Sequence, residues 1–108
     1  MIRQLRAADL ARWRSDRQRV PPLLVDVREP WEYEYCRIDG SLSVPLAELG
    51  RRLPELPRDR PVVMVCHHGM RSMHAAAFLA RAGFADVHNL FGGVAAWAAE
   101  VEPTMKTY

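Results

Sequence analysis

The 108-residue chain is long enough for one domain with a hydrophobic core, and 49% of its residues are hydrophobic. Its formal charge of +2 comes from 15 basic and 13 acidic residues, interspersed in a way that argues against a nucleic-acid-binding stripe. Two cysteines make no disulfide framework, and no apolar run approaches the roughly 20 residues of a membrane span. The first residues are too charged for a signal peptide. We expect a single domain over residues 1–108 in a reducing cytoplasm, with neither nucleic acid nor membrane as partner.

The first half of the chain alternates short apolar runs with amphipathic segments. "RQL" is a weak strand, and "AADLARWRS" predicts a helix with Leu10 and Trp13 on one side. "LLVDV" is typical of a strand buried on both faces. "PWEYEY" predicts a short helix that begins at Pro30. "SLSVP" then predicts a short edge strand, and "LAELGRRL" predicts a helix.

The second half repeats this alternation. "VVMV" predicts another buried strand, and the spacing of apolar residues predicts a helix over Arg71–Ala82, ended by Gly83. "DVHNL" predicts a last strand and "GGVAAWAAE" a last helix. We expect Trp13, Phe78 and Trp97 to anchor their helices to the sheet. From about residue 100 to residue 108 we expect a polar tail along the surface.

The alternation of strands and helices predicts an α/β fold, an open parallel sheet of about five strands with helices on both faces. In such sheets the functional site lies beyond the carboxyl ends of the strands. Cys66 directly follows "VVMV", and Asp26 and Arg28 lie at the end of "LLVDVR". We therefore expect these three residues at the same edge of the sheet.

The segment after Cys66 has the character of an anion-binding loop. A loop between a buried strand and a helix directs successive backbone N–H groups into one concavity, to which the helix dipole adds positive charge. Gly69 permits a tight turn, Arg71 supplies a cation, and His67 and His68 add charge or hydrogen bonds. This pattern predicts a thiolate nucleophile in an anion cradle. A structural cysteine that merely ends the strand is the alternative left open by these residues.

A metal site is a further alternative, because Cys66, His67, His68 and His74 are close in sequence. Structural zinc is usually held by ligands in spaced pairs, and adjacent residues of a tight loop do not easily converge on one ion. We therefore expect no metal. His74 is expected in solvent on the polar face of its helix, and His88 is expected to be structural.

Four segments together resemble the single-domain rhodaneses: "LLVDVREPWEYE", "IDGSLSVP", "CHHGMRS" and "LFGGVAAW". They occur in this order and cover nearly the whole chain. The resemblance implies a rhodanese-like α/β fold and sulfurtransferase activity without a cofactor. Cys66 would accept a sulfane sulfur from a small donor such as thiosulfate, hold it as a persulfide and pass it to cyanide or a thiol. A protein sulfur donor or acceptor is a further candidate partner.

The resemblance also assigns supporting roles. Asp26 and Arg28 would support the loop from the neighbouring strand without reacting. The substrate-binding loop, or anion cradle, would comprise His67, His68, Gly69, Met70, Arg71 and Ser72.

Loop length separates two chemistries on this fold. Cys66 and Arg71 are the ends of a Cys-x4-Arg segment, whereas the related phosphatases use Cys-x5-Arg for the bulkier phosphate. The shorter loop argues for sulfur transfer and against phosphatase or arsenate reductase activity. Because the loop is complete, a regulatory binding module without turnover is the weaker alternative. A sulfur carrier between proteins is a further alternative, which the sequence does not separate from the enzyme because both need the same persulfide.

One departure from the family pattern concerns Cys36 and Arg37, which stand where rhodaneses commonly have Gly-His. If that position required a left-handed backbone, cysteine would fit poorly and the local loop would differ. The change also adds a second thiol near the expected site. We expect Cys36 to be a small, partly buried residue, with a sulfur-accepting role as the alternative.

Overall fold

Five short segments form one wholly parallel sheet in the computed structural model, which describes all residues from 1 to 108. The spatial order of the strands is β1-β5-β4-β2-β3. This architecture confirms the α/β fold expected from the sequence. The strands are β1 (Ile2–Leu5), β2 (Leu23–Asp26), β3 (Leu42–Ser43), β4 (Val62–Val65) and β5 (Val87–Leu90).

The central position of β4 explains its uninterrupted apolar sequence. All four residues of β4 are buried, because β2 and β5 flank it and helices cover both faces. The register pairs Asp26, the last residue of β2, with Val65, the last residue of β4. The carboxyl ends of the two strands are therefore level, and Cys66 and Arg28 follow at the same edge.

The helices largely follow the sequence expectations. α4 begins one residue earlier than expected, at Met70, after Gly69 turns the chain with φ +104°. The segment "LAELGRRL" forms a 3₁₀ turn at Leu46–Glu48 and only four α-helical residues, where one continuous helix was expected. The helices are α1 (Ala7–Ser15), α2 (Pro30–Tyr35), α3 (Leu49–Arg52), α4 (Met70–Arg81) and α5 (Gly93–Glu100), with a further 3₁₀ turn at Leu53–Glu55.

Two hydrophobic clusters lie on opposite faces of the sheet. On one face, α1 and α5 pack through Trp13 and Trp97, which are 4% and 5% exposed and anchor their helices as expected. On the other face, α4 packs through Ala75, Ala76 and Leu79. The expectation that Phe78 anchors α4 is wrong, because its ring is 37% exposed at the margin of this face. The small alanines bring α4 close to the sheet instead.

The segment after α5 differs from the expected polar surface tail. Met105 is buried and belongs to the α1/α5 cluster, so the segment is held against the body of the protein. Tyr108 consequently reaches the edge of the sheet where Arg28 lies, and its hydroxyl accepts a hydrogen bond from Arg28. None of the helices has the length and apolar character required to cross a membrane.

Candidate active site

The Cys66 thiol lies at the bottom of the loop that joins β4 to α4. The residue is 1% exposed, and the backbone N–H of Gly69 donates a hydrogen bond to its Sγ over 3.1 Å. The Ser72 hydroxyl, in the first turn of α4, lies 3.2 Å from the same sulfur. Both groups can donate to a sulfur that carries negative charge.

Backbone N–H groups of α5 bind the carbonyl groups of the loop. This contact fixes the direction in which the N–H groups of the loop point. The N–H groups of Val94 and Ala95 donate to the carbonyls of Cys66 and His67 over 2.9 and 3.0 Å. This close approach requires Gly93, because an added Cβ would clash with both carbonyl oxygens. At the start of α4, the N–H groups of residues 70–72 have no backbone acceptor. The loop therefore offers unpaired donors of the kind that bind anions.

Ser72 is held by an amide network that reaches two other elements. Asn89 donates through Nδ2 to the Gly69 carbonyl and to Gln4, at 3.2 and 3.0 Å, which leaves its Oδ1 facing Ser72. Ser72 Oγ lies 2.5 Å from that oxygen. A hydroxyl has one proton, so Ser72 donates either to Asn89 or to Cys66. In the first arrangement its oxygen can accept the S–H proton, and in the second it stabilises the thiolate.

Arg71 is paired within the protein and does not extend freely into the loop. Its two terminal nitrogens bind the two carboxylate oxygens of Glu32 over 2.7 and 2.9 Å. These hydrogen bonds from Arg71 are the main cause that lowers the pKa of Glu32 to about 2. The same pairing raises the pKa of Arg71. Glu32 lies in α2, so the ion pair ties the start of α4 to the helix that follows β2.

Asp26 and Arg28 form a buried ion pair at the end of β2. Arg28 is 0% exposed, and its Nη2 donates to Asp26 and to the Cys36 carbonyl over 2.7 Å in each case. Burial would lower the pKa of the guanidinium, but the hydrogen bonds that it donates to Asp26 and Tyr108 outweigh this effect and the pKa is raised. No hydrogen bond joins either residue to the side chains of the loop. A connection from this pair to the side chains of the loop is therefore indirect.

Tyr108 supplies that connection. Its hydroxyl accepts from Arg28 Nη1 over 2.9 Å and donates to Glu32 over 2.6 Å. Its ring stacks on the imidazole of His67 with a centroid distance of 3.9 Å and an interplanar angle of 13°. Burial, and then the bond to Glu32, raise the pKa of Tyr108 to about 12. The phenol is therefore protonated at neutral pH.

The two histidines of the loop differ in environment. His67 is half-buried between Tyr108 and His68, whose ring stacks on it at 4.0 Å, whereas His68 is exposed. Burial, followed by the proximity of His68, lowers the pKa of His67. Met70 is 74% exposed at the mouth of the loop. No group of three or more His, Cys, Asp or Glu side chains has the arrangement of a metal site.

Cys36 has an extended backbone with φ −159°, so the position does not require the left-handed conformation in which cysteine would fit poorly. Its thiol is buried and lines a cavity of about 90 Å³ beside the loop. The cavity is also lined by His67, His68 and the segment 106–108, and Cys66 is not among its lining residues. His74 is exposed, and His88 is buried against Trp13 and bound to Asp86, as expected of a solvated and a structural histidine.

Sequence reasoning placed Cys66, the loop, Asp26 and Arg28 at one edge but missed three residues of the site. The sequence could have indicated Glu32, since it is an acidic residue in the short helix that follows Arg28. Its indication of Asn89 is weaker, because Asn89 is only a polar residue within a buried strand. Nothing in the polar segment after α5 indicated that Tyr108 would contact residues near position 30.

Comparison with known proteins places this geometry in a family. Residues 7–100 match the rhodanese-like domain. A sulfurtransferase of Allochromatium vinosum is 38% identical over 98 residues, which cover 91% of this chain and 90% of that protein. The probable adenylyltransferase/sulfurtransferase MoeZ of Mycobacterium tuberculosis is 42% identical over 87 residues, but the chain spans only 22% of its length.

A solved structure and a further relative agree with this assignment. A rhodanese-related protein from Thermoplasma volcanium superimposes with a TM-score of 0.83 and 33% identity, covering 94% of this chain and 95% of that one. The thiosulfate sulfurtransferase GlpE of Pseudoalteromonas translucida is 38% identical over 71% of this chain and 73% of its own length. Relatives so named support sulfur transfer as the activity of the family. The chain belongs to the rhodanese-like domain family.

Proposed function

We propose that the protein is a sulfurtransferase that carries a sulfane sulfur as a persulfide on Cys66. The observation that carries this proposal is the placement of Cys66 Sγ between the Gly69 N–H group and the Ser72 hydroxyl, at 3.1 and 3.2 Å. Donors at these distances stabilise a thiolate, which is the nucleophilic form of cysteine. The negative charge of a persulfide would be stabilised by the same loop.

The reaction has two steps. In the first, the Cys66 thiolate attacks the sulfane sulfur of thiosulfate; an S–S bond forms, the bond to the sulfonate sulfur breaks, and sulfite leaves with its electron pair. In the second, cyanide or a thiolate attacks the outer sulfur of the persulfide, and Cys66 leaves as a thiolate. Cyanide becomes thiocyanate. The covalent intermediate divides the transfer into two displacements on one cysteine.

The free N–H groups at the start of α4 would bind the anionic end of the donor. This assignment is favoured over Arg71, because the Arg71 guanidinium is already bound by both oxygens of Glu32. Arg71 would instead hold the start of α4 against α2 and so keep the loop in shape. His67 and His68 line the side of the loop, and Met70 lies at its mouth. They are therefore the side chains that a donor meets first.

The test is to incubate the protein with thiosulfate and measure its intact mass. The expected result is a gain of one sulfur atom that cyanide removes as thiocyanate. Cys66→Ser should abolish both signals. Cys36→Ser is the matched control, since its thiol is also buried but receives only a long hydrogen bond from Arg28 Nη1, at 3.9 Å, and it should retain both.

Three results would overturn the proposal in different ways. Full activity of Cys66→Ser would exclude Cys66 as the sulfur carrier. A persulfide that forms on Cys66 but never yields thiocyanate would favour a carrier that passes sulfur to another protein. If neither thiosulfate nor 3-mercaptopyruvate adds a sulfur, the result favours a carrier loaded by another protein or a binding module with this fold.

A further inference from the structure

Tyr108 occupies a junction that the family comparison does not cover, since the matched region ends at residue 100. Its hydroxyl lies between Arg28 and Glu32, and its ring covers one face of His67. Trp31 and Tyr35 make T-shaped contacts with it at centroid distances of 5.5 and 5.9 Å. Met105, three residues earlier, anchors the segment in the core. The position of the ring is therefore determined from several sides.

The direction of each hydrogen bond of Tyr108 follows from the chemistry of its partners. A guanidinium can only donate, so Arg28 donates to the phenol oxygen. Glu32 is ionised above about pH 2 and can only accept, so the phenol proton points to Glu32. Tyr108 thus joins the Asp26–Arg28 pair to the Glu32–Arg71 pair. The first pair lies at the end of β2 and the second reaches the start of α4, so Tyr108 connects β2 to the loop.

The ring of Tyr108 also determines the environment of His67. Stacking at 3.9 Å covers one face of the imidazole, while His68 covers part of the other at 4.0 Å. The charged groups around His67 are Glu32, Arg28 and Arg71, in addition to His68 itself. The carbonyl of His67 is held by Ala95. Backbone and side chain of the residue after Cys66 are therefore both fixed, by α5 and by Tyr108 respectively.

We propose that Tyr108 is a positioning residue of the active-site loop, which holds the His67 ring beside Cys66 by stacking and links Arg28 to the Glu32–Arg71 pair. This structural role does not depend on the proposed sulfur transfer. Only the effect of Tyr108 on the kinetics rests on that proposed function. The consequence is that Tyr108 shapes the wall along which a donor approaches. A loss of the ring should then weaken donor binding more than it slows the chemical step.

The experiment compares Tyr108→Ala and Tyr108→Phe with the unchanged protein. NMR follows the titration of the His67 ring, assigned with a His67→Gln variant. Tyr108→Ala exposes the imidazole, so its titration midpoint should rise towards the ordinary value of about 6.5. Tyr108→Phe keeps the stack and should leave the midpoint close to that of the unchanged protein. Phe78→Ala is the control: Phe78 is 37% exposed and Tyr108 is 40% exposed, but Phe78 lies on another surface. This variant should leave the titration midpoint of His67 unchanged.

The kinetic arm measures thiosulfate turnover by the same variants. Tyr108→Ala should raise KM roughly 3- to 10-fold, as expected for the loss of one aromatic stacking contact, with kcat little changed. Tyr108→Phe keeps the ring but loses the link to Arg28 and Glu32, so its KM should lie between those of Tyr108→Ala and the unchanged protein. Thermal unfolding of each variant shows that the comparison is made between folded proteins.

An unchanged His67 midpoint in folded Tyr108→Ala would overturn the proposal, as would a shift of equal size in Tyr108→Phe. The NMR measurement requires no turnover. It therefore decides the role of Tyr108 even if the protein proves inactive with thiosulfate, and failure of the proposed activity is distinguishable from failure of this inference.

Discussion

Arg71 and Glu32 form a two-point ion pair, with nitrogen–oxygen distances of 2.7 and 2.9 Å, between the start of α4 and the middle of α2. The side chain of Glu32 is 5% exposed and that of Arg71 is 38% exposed. The cation of the loop is thus used to join two elements that are 39 residues apart in sequence. The strength of this contact depends on the ionisation of Glu32.

Glu32→Gln should destabilise the protein in a pH-dependent manner. The pKa of Glu32 in the folded protein is about 2, below its ordinary value of 4.5. Its contribution to the free energy of unfolding is therefore complete above about pH 4.5 and is lost as the pH falls towards 2. At neutral pH, we expect a loss of about 1.5–3 kcal/mol, typical of a charge-assisted hydrogen bond. Urea unfolding at several pH values measures it. A difference between the two proteins that grows as the pH falls would contradict the assignment.

Asp26→Asn should cost more stability than the loss of a surface ion pair. The variant leaves the Arg28 charge, which is fully buried, without its carboxylate partner. The expected loss is about 3–5 kcal/mol. Glu48→Gln is the matched control, because Glu48 and Arg51 form an exposed pair and the loss there should stay below about 1 kcal/mol. Equal losses in the two variants, measured by urea unfolding, would show that Arg28 does not depend on Asp26.

Ser72→Ala should reduce turnover while leaving the fold intact. It removes the hydroxyl that lies 3.2 Å from Cys66 Sγ and also leaves Asn89 Oδ1 without a donor. Loss of one hydrogen bond to a charged sulfur corresponds to a fall in kcat/KM of roughly 10-fold or more. Ser72→Thr retains a hydroxyl and should recover part of the activity. Ser15→Ala, which removes an exposed hydroxyl at the end of α1, should have no effect. Full activity of Ser72→Ala would remove Ser72 from the site.

Gly93→Ala should disrupt the loop although the residue lies 27 positions after Cys66. The position has φ +59°, and an added Cβ would clash with the carbonyl oxygens of Cys66 and His67. We expect a loss of about 2–4 kcal/mol together with most of the activity. Gly50→Ala is the control, because the nearest atom to its added Cβ is 3.9 Å away. It should be neutral or slightly stabilising. A fully active and stable Gly93→Ala would exclude the close contact between α5 and the loop.

The fold and the position of Cys66 could be predicted from the sequence because both depend on local patterns. Runs of buried residues such as "VVMV" indicate parallel strands, and parallel strands place their carboxyl ends at one edge. The partners of the loop depend instead on contacts between distant parts of the chain. Arg71 was expected in the cradle, yet Glu32 binds it, and a single sequence contains no rule that pairs these two positions.

Two other differences have similar causes. Phe78 has the spacing of a buried residue, but Ala75, Ala76 and Leu79 already fill the narrow face of α4. Tyr108 lies in a segment without periodicity, so neither its stacking on His67 nor its bonds to Arg28 and Glu32 could be inferred. Patterns of period and polarity describe how elements pack, whereas these contacts depend on which individual side chains meet.

The hydrogen bonds from Val94 and Ala95 to the carbonyls of Cys66 and His67 have a consequence for synthesis of the chain. A ribosome makes residue 66 well before residues 94 and 95, so the thiol emerges before the groups that shape its loop. During that interval the loop carbonyls of Cys66 and His67 have no donors from α5. The loop is completed only when α5 docks, so its final shape forms late in the synthesis of the chain, once helices cover both faces of the sheet.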